Sequence, residues 1–168
     1  MNPCIEPELV ARADTVVAAL KEGGLMAVTA ESCTGGLVVA CLAHAEDASA
    51  ALHGGFVTYS KEQKAAALGV ERSLLDQEGS VSGPVAAQMA QGALQHSPAD
   101  IAIAVTGVLG PSPDEDGNPV GLVYLACCRK GRAPSIVRKT YGLELPDALR
   151  RRVVLDALDL MQDCIRQG

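Results

Sequence analysis

The sequence predicts an α/β fold in three layers, α/β/α, with a mixed, mostly parallel sheet of about five strands. Three observations predict it. Amphipathic helical segments alternate with short apolar runs through the first two thirds of the chain. Those runs lack a polar face, as expected of strands buried on both sides. The last two strand-like runs are separated only by a polar turn, as in a hairpin. Alternation of this kind implies parallel strands joined by right-handed crossovers. A length of 168 residues fits one domain, 1–168, around one continuous core.

In chain order, Ile5 to Glu22 places Leu9, Ala13, Val16, Val17 and Leu20 at steps of three and four, one face of a helix that stops at Gly23-Gly24. Leu25 to Ala30 reads as a buried strand. Glu31-Ser32-Cys33-Thr34-Gly35-Gly36 follows it directly, before a helix from Leu37 to about Ala45. Phe56 to Tyr59 reads as the next strand, and Ser60 with Gln63 fits a capping box that starts a helix at Lys61. Ser73 to Glu78 fits a short helical turn. Ser82 and Pro84 open a further helix towards His96, and Ile101 to Thr106 is another apolar strand. Gly107 to Gly121 holds three prolines, four glycines and Asp114-Glu115-Asp116, and is expected to be an exposed loop. Leu122 to Cys128 and Ile136 to Tyr141 read as two strands joined by Arg129 to Pro134, and Pro146 to Arg166 closes the chain as a helix.

Composition narrows the function classes. The aromatic fraction is 2%, with no Trp and a lone Phe56, so the core must be built from Ala, Val, Leu and Ile. Small side chains let helices pack closely on a sheet. Fourteen basic against twenty acidic residues give a net charge of −6, which argues against nucleic acid as a partner. No apolar run approaches the length of about 20 residues that crosses a bilayer, and Met1 to Glu8 carries acidic and proline residues in place of a leader. A cytoplasmic protein without membrane contact is expected. The aromatic-poor, small-residue surface is compatible with a homodimer or a higher homo-oligomer.

Six cysteines, Cys4, Cys33, Cys41, Cys127, Cys128 and Cys164, include no C-x-x-C pair, and His44, His53 and His96 have no short ligand spacing. No metal, disulfide framework or cofactor is expected. Cys127 and Cys128, adjacent in a strand, should point to opposite faces as small hydrophobes. Asp114 to Asp116 does not match a calcium loop and reads as a solvated surface run.

Ser32 sits at a strand-to-helix junction rich in glycine, where free backbone amides and the positive end of a helix dipole converge. That pattern suits a catalytic serine with an oxyanion site, an anion-binding turn, or simple helix capping. Catalysis would need a base in hydrogen-bond reach. No histidine is suitably placed. Lys61 and Lys64, three apart after the second strand, are candidates, because burial or a neighbouring cation lowers a lysine pKa. As a pair they equally fit a solvated helix face. Tyr59 could orient substrate or base, or fill the core. Cys33 is a weaker rival nucleophile, since only a helix start lies near it.

Three sets of residues then carry a resemblance: Thr29-Ala30-Glu31-Ser32-Cys33-Thr34-Gly35-Gly36; Gly55-Phe56-Val57-Thr58-Tyr59-Ser60; and Thr106-Gly107 with Gly110-Pro111 and Pro119-Val120-Gly121. Together they resemble the CinA carboxy-terminal domain family from about residue 8 to 165. Active members of that family are nicotinamide-nucleotide amidases, which convert nicotinamide mononucleotide to nicotinate mononucleotide and ammonia without a metal. The resemblance implies a small-molecule nucleotide substrate, with Ser32, Lys64 and Tyr59 as catalytic residues. It also matches Arg150 to an arginine of the family, and the mechanism expected on this basis draws substrate contacts from Thr34, Gly35, Gly36, Thr106, Gly107 and Arg150, with Arg150 and Thr34 towards the phosphate. The oxyanion would lie on amides around Thr34 to Gly36 or Thr106-Gly107. Two departures stand out. Lys61 adds a cation beside Lys64 that could lower its pKa further, and the loop after Gly110-Pro111 is longer and more acidic than usual for the family. A silent nucleotide-binding module, or an amidase for another carboxamide, would share these features.

Overall fold

The computed structural model describes residues 5–142 and 144–167. Cys4 and the first half of Met1 to Glu8 lie outside the described residues. Chain order is α1 (Pro7–Glu22), β1 (Ala27–Glu31), α2 (Leu37–His44), one 3-10 turn (Ala48–Ala50), β2 (Leu52–Val57), α3 (Lys61–Leu68), α4 (Arg72–Glu78), α5 (Gly83–Gln95), β3 (Ile101–Gly107), β4 (Leu122–Arg129), β5 (Ser135–Thr140) and α6 (Pro146–Arg166).

The strands form one sheet in the order β2-β1-β3-β4-β5. β1 runs parallel to both β2 and β3, whereas β4 is antiparallel to β3 and to β5. Four strands thus point one way and β4 alone points the other. The mixed sheet is the expected one and is mostly parallel by direction, although its pairings divide two and two.

Period-two alternation in β3 and β4 builds a different core on each face of the sheet. Ile101, Ile103, Val105, Val123, Leu125 and Cys127 face α1, α2 and α6. Ala102, Ala104, Ala126 and Cys128 face α5, which answers with Ala86, Ala90 and Ala93. Small residues on both sides of that second interface bring α5 close to the sheet. Cys127 and Cys128 point to opposite faces, as the strand reading required.

The same economy of volume seats α3. A Cβ on Gly92 of α5 would lie 1.9 Å from the Leu68 carbonyl oxygen at the end of α3, so only glycine permits this approach. Ser60 caps α3 by accepting from the Gln63 amide at 3.1 Å. Among the described residues the return bond of a full capping box is not made.

The second strand corrects the sequence reading. β2 begins at Leu52 and ends at Val57, so Tyr59 lies beyond it. His53-Gly54-Gly55 resembles a loop by propensity, but β2 is an edge strand beside β1, and a Cβ on Gly55 would lie 2.3 Å from Thr29 Oγ1. Glycine is used there for a close approach within a strand. Among the described residues no helix is long and apolar enough to cross a membrane.

Candidate active site

β1 and β2 are neighbours, yet α2, which follows β1, packs into the core with α1 and α6, while α3, which follows β2, packs into the opposite core. Such a switch opens a crevice beyond the carboxyl ends of the strands. A cleft of about 900 Å³ lies there, lined by Ser32 to Gly35, Tyr59 to Glu62, Gly107 to Gly110, Asp114, Glu115 and Arg150 among others.

Ser32 lines this cleft, and Lys64, which does not, places its Nζ 2.9 Å from Ser32 Oγ and donates to the Thr58 carbonyl at 3.0 Å. Lys64 is 0% exposed. Lys64 and Leu68, one turn apart on α3, form its buried side, which carries the lysine inward. Burial penalises the ammonium form and lowers the Lys64 pKa to about 8. Of the two lysine candidates, only Lys64 meets Ser32.

Lys61 goes elsewhere: its nitrogen lies 2.6 Å from Asp116 and 3.3 Å from Glu115. The hydrogen bond to Asp116 raises the Lys61 pKa and lowers that of the carboxylate. Burial, rather than a neighbouring cation, is therefore what depresses Lys64. The acidic run is also not simply solvated, since Asp116 accepts from the Ser80 amide at 3.1 Å and ties the long loop down. At Cys33 burial pushes the thiol up to about 12, which leaves it protonated at neutral pH.

The residue that pattern reading passed over is Glu31. It is 0% exposed and its carboxylate accepts five hydrogen bonds: from Thr34 Oγ1 (2.7 Å), the amides of Gly36 (3.1 Å), Val38 (3.0 Å) and Val39 (2.8 Å), and Thr29 Oγ1 (3.1 Å). A carboxylate at the end of an otherwise apolar strand, just ahead of a helix start, was the available signal. Glu31 alters the oxyanion expectation, because the Gly36 amide is taken, and the Gly35 amide is bonded to the Ser32 carbonyl. The amides of Cys33 and Thr34 donate to no other described residue.

The remaining candidates divide. Gly35, Gly107 and Arg150 line the cleft, and Arg150 bonds Asp147 at 2.9 Å. Tyr59 lines it too and is 79% exposed, so it is no core filler. Thr34 borders the cleft, but its hydroxyl is spent on Glu31 rather than turned to a ligand. Thr106 is buried and donates to the Ser80 carbonyl at 2.7 Å; like Gly36, it stands behind the cleft wall. Among the described residues no group of three or more His, Cys, Asp or Glu gathers where a metal ion could be held.

Comparison with known proteins agrees in sequence and in fold. Residues 10–165 match the profile of the CinA C-terminal domain. The nicotinamide-nucleotide amidohydrolase PncC of Escherichia coli strain K12 is 39% identical over 156 residues, covering 93% of this chain and 94% of that one. A CinA-like protein of Geobacter sulfurreducens is 42% identical over 150 residues, which are 89% of this chain but 36% of that protein. The crystal structure of the competence/damage inducible protein CihA from Agrobacterium tumefaciens matches with a TM-score of 0.91 at 36% identity, covering 96% of this chain and 98% of that one. Matched along nearly its whole length by a profile, by sequence relatives and by solved structures, the chain belongs to the CinA C-terminal domain family.

Proposed function

We propose that the chain is a metal-independent nicotinamide-nucleotide amidase that hydrolyses nicotinamide mononucleotide to nicotinate mononucleotide and ammonia through Ser32 and Lys64. The likeness to the Escherichia coli amidohydrolase supplies the substrate class. The observation that carries the chemistry is the buried 2.9 Å contact between Lys64 Nζ and Oγ of Ser32, a residue of the cleft wall.

In this reading neutral Lys64 accepts the Ser32 hydroxyl proton as Oγ attacks the carboxamide carbon. The negative charge that develops on the carbonyl oxygen is held by the amides of Cys33 and Thr34. As the C–N bond breaks, the Lys64 ammonium returns its proton to nitrogen and ammonia leaves. Water then attacks the Ser32 ester, gives a proton to Lys64, and the lysine passes it to the departing Oγ. Arg150, whose partner Asp147 is exposed, offers a guanidinium to the substrate phosphate. Tyr59, exposed at the rim, presents its ring to the substrate.

Ammonia release from nicotinamide mononucleotide in the presence of a chelator tests this reading. The wild type is expected to turn over, while Ser32→Ala and Lys64→Ala remain folded and silent. Turnover that survives in Ser32→Ala, or that stops with the chelator and returns with metal, would overturn it. Asp114 and Glu115 on the cleft wall favour a second reading, an amidase for a less anionic carboxamide. A higher kcat/KM for such a compound than for the nucleotide would establish that alternative.

A further inference from the structure

Glu31 buries a carboxylate next to the serine that the amidase reading makes the nucleophile. Burying a charge is costly unless donors surround it. Here five donors do, and three are the amides that begin α2, where the helix dipole also favours an anion. The carboxylate thereby closes the turn that starts at Ser32 onto the strand that precedes it. Ser32 itself is held from the other side by its amide, which donates to the Val105 carbonyl at 2.9 Å.

The main chain of Glu31 reaches the base as well. Its carbonyl accepts from the Thr58 amide at 2.7 Å, and the Thr58 carbonyl accepts from Lys64 Nζ at 3.0 Å. One residue therefore anchors the serine through its side chain and the lysine through its backbone. The carboxylate also occupies the Gly36, Val38 and Val39 amides, so that within this turn it is the Cys33 and Thr34 amides that have no other described residue as acceptor.

We infer that Glu31 is a positioning residue that sets the orientation of Ser32 towards Lys64. This inference rests on Ser32 being the nucleophile. Glutamine in its place keeps the shape but offers one acceptor oxygen, and turns an NH2 group towards amides that are themselves donors. The turn would have to shift, and misplacement of a reacting group by about 1 Å can cost on the order of 100-fold in rate.

The test is the rate at which a fluorophosphonate labels Ser32, since it needs no nicotinamide nucleotide. Oγ bonds to phosphorus, fluoride leaves, and the serine proton passes to Lys64. Glu31→Gln, assayed well below its melting temperature, is expected to lower the plateau rate by about 100-fold and to leave the pH midpoint where Lys64 sets it. For ammonia release the loss should fall on kcat rather than KM. An unchanged plateau in folded Glu31→Gln would overturn the inference by making Glu31 merely structural. So would a moved midpoint with an unchanged plateau, because Glu31 would then act through its charge. Should Glu31→Gln fail to fold, Thr29→Val, which removes one donor from the carboxylate, is expected to slow labelling several-fold, and an unaltered rate there would overturn the inference. If the wild type labels normally but releases no ammonia, the amidase reading falls while the role of Glu31 is still measured.

Discussion

Lys64 Nζ lies 2.9 Å from Ser32 Oγ, so the first turn of α3 is joined to the end of β1. Burial lowers the Lys64 pKa to about 8, which makes the neutral amine accessible near physiological pH. In the proposed mechanism Lys64 serves as general base, and for that it must be unprotonated. The kcat/KM for ammonia release is therefore expected to rise with pH through a midpoint near 8. A profile that is flat from about pH 6 to 9 would remove Lys64 from that role.

The same shift has a sign in stability. Lys64 titrates at about 8 in the folded protein against 10.5 for an ordinary lysine, so between those values the unfolded chain binds the extra proton. Stability should increase as pH rises through that window, and the full cost of the buried charge is present below it. Lys64→Met should be inactive yet more stable at pH 7, by up to on the order of 3 kcal/mol at about 1.4 kcal/mol per pKa unit. Urea titrations at pH 7 and above pH 10.5 check this, with the gain expected to shrink at the higher pH.

Gly92 controls where α3 can sit. A methyl group there would lie 1.9 Å from the Leu68 carbonyl oxygen, so Gly92→Ala must push α3 away from α5. Overpacking of this kind typically costs about 1–3 kcal/mol. Because α3 carries Lys64, the variant is expected to lose rate as well as stability, although residue 92 does not line the cleft. Thermal melts and ammonia release measured on the same preparation would show the two losses together.

Lys61 and Asp116 tie the acidic loop to α3 at 2.6 Å. Both side chains keep contact with solvent, and Asp116→Asn is expected to change global stability by less than about 1 kcal/mol. Hydrogen exchange of the 108–121 backbone should nevertheless quicken, since the contact with the Ser80 amide is weakened too. High salt should bring the wild type towards the variant.

Periodicity located the helices and strands within a few residues wherever it was strong, as in α1, β3 and α6. It failed at β2, where Gly54 and Gly55 imitate a loop: Gly54 has a φ of 147°, and a Cβ on Gly55 would strike Thr29 and crowd Val39. The serine turn was legible because its glycines are: Gly35 and Gly36 have φ of 63° and 95°, which other residues rarely adopt. Lys64 as partner to Ser32 followed from the family motif rather than from spacing, which fitted Lys61 equally well. Glu31 was invisible as a structural hub, because its five donors come from α2, the preceding strand and the turn, and no local rule sums them.

The sequence by itself determined the element types, the two-sided burial of the central strands, the family and the residues worth suspecting. Those properties are local, written in side-chain period and in glycine positions. Only the tertiary structure decided which lysine is buried, which amides remain free and where the acidic loop is tied. Each of these depends on a crossover that carries α3 to the opposite face of the sheet from α2, and on the desolvation and hydrogen bonding that follow where Lys64 of α3 reaches Ser32 beyond the end of β1.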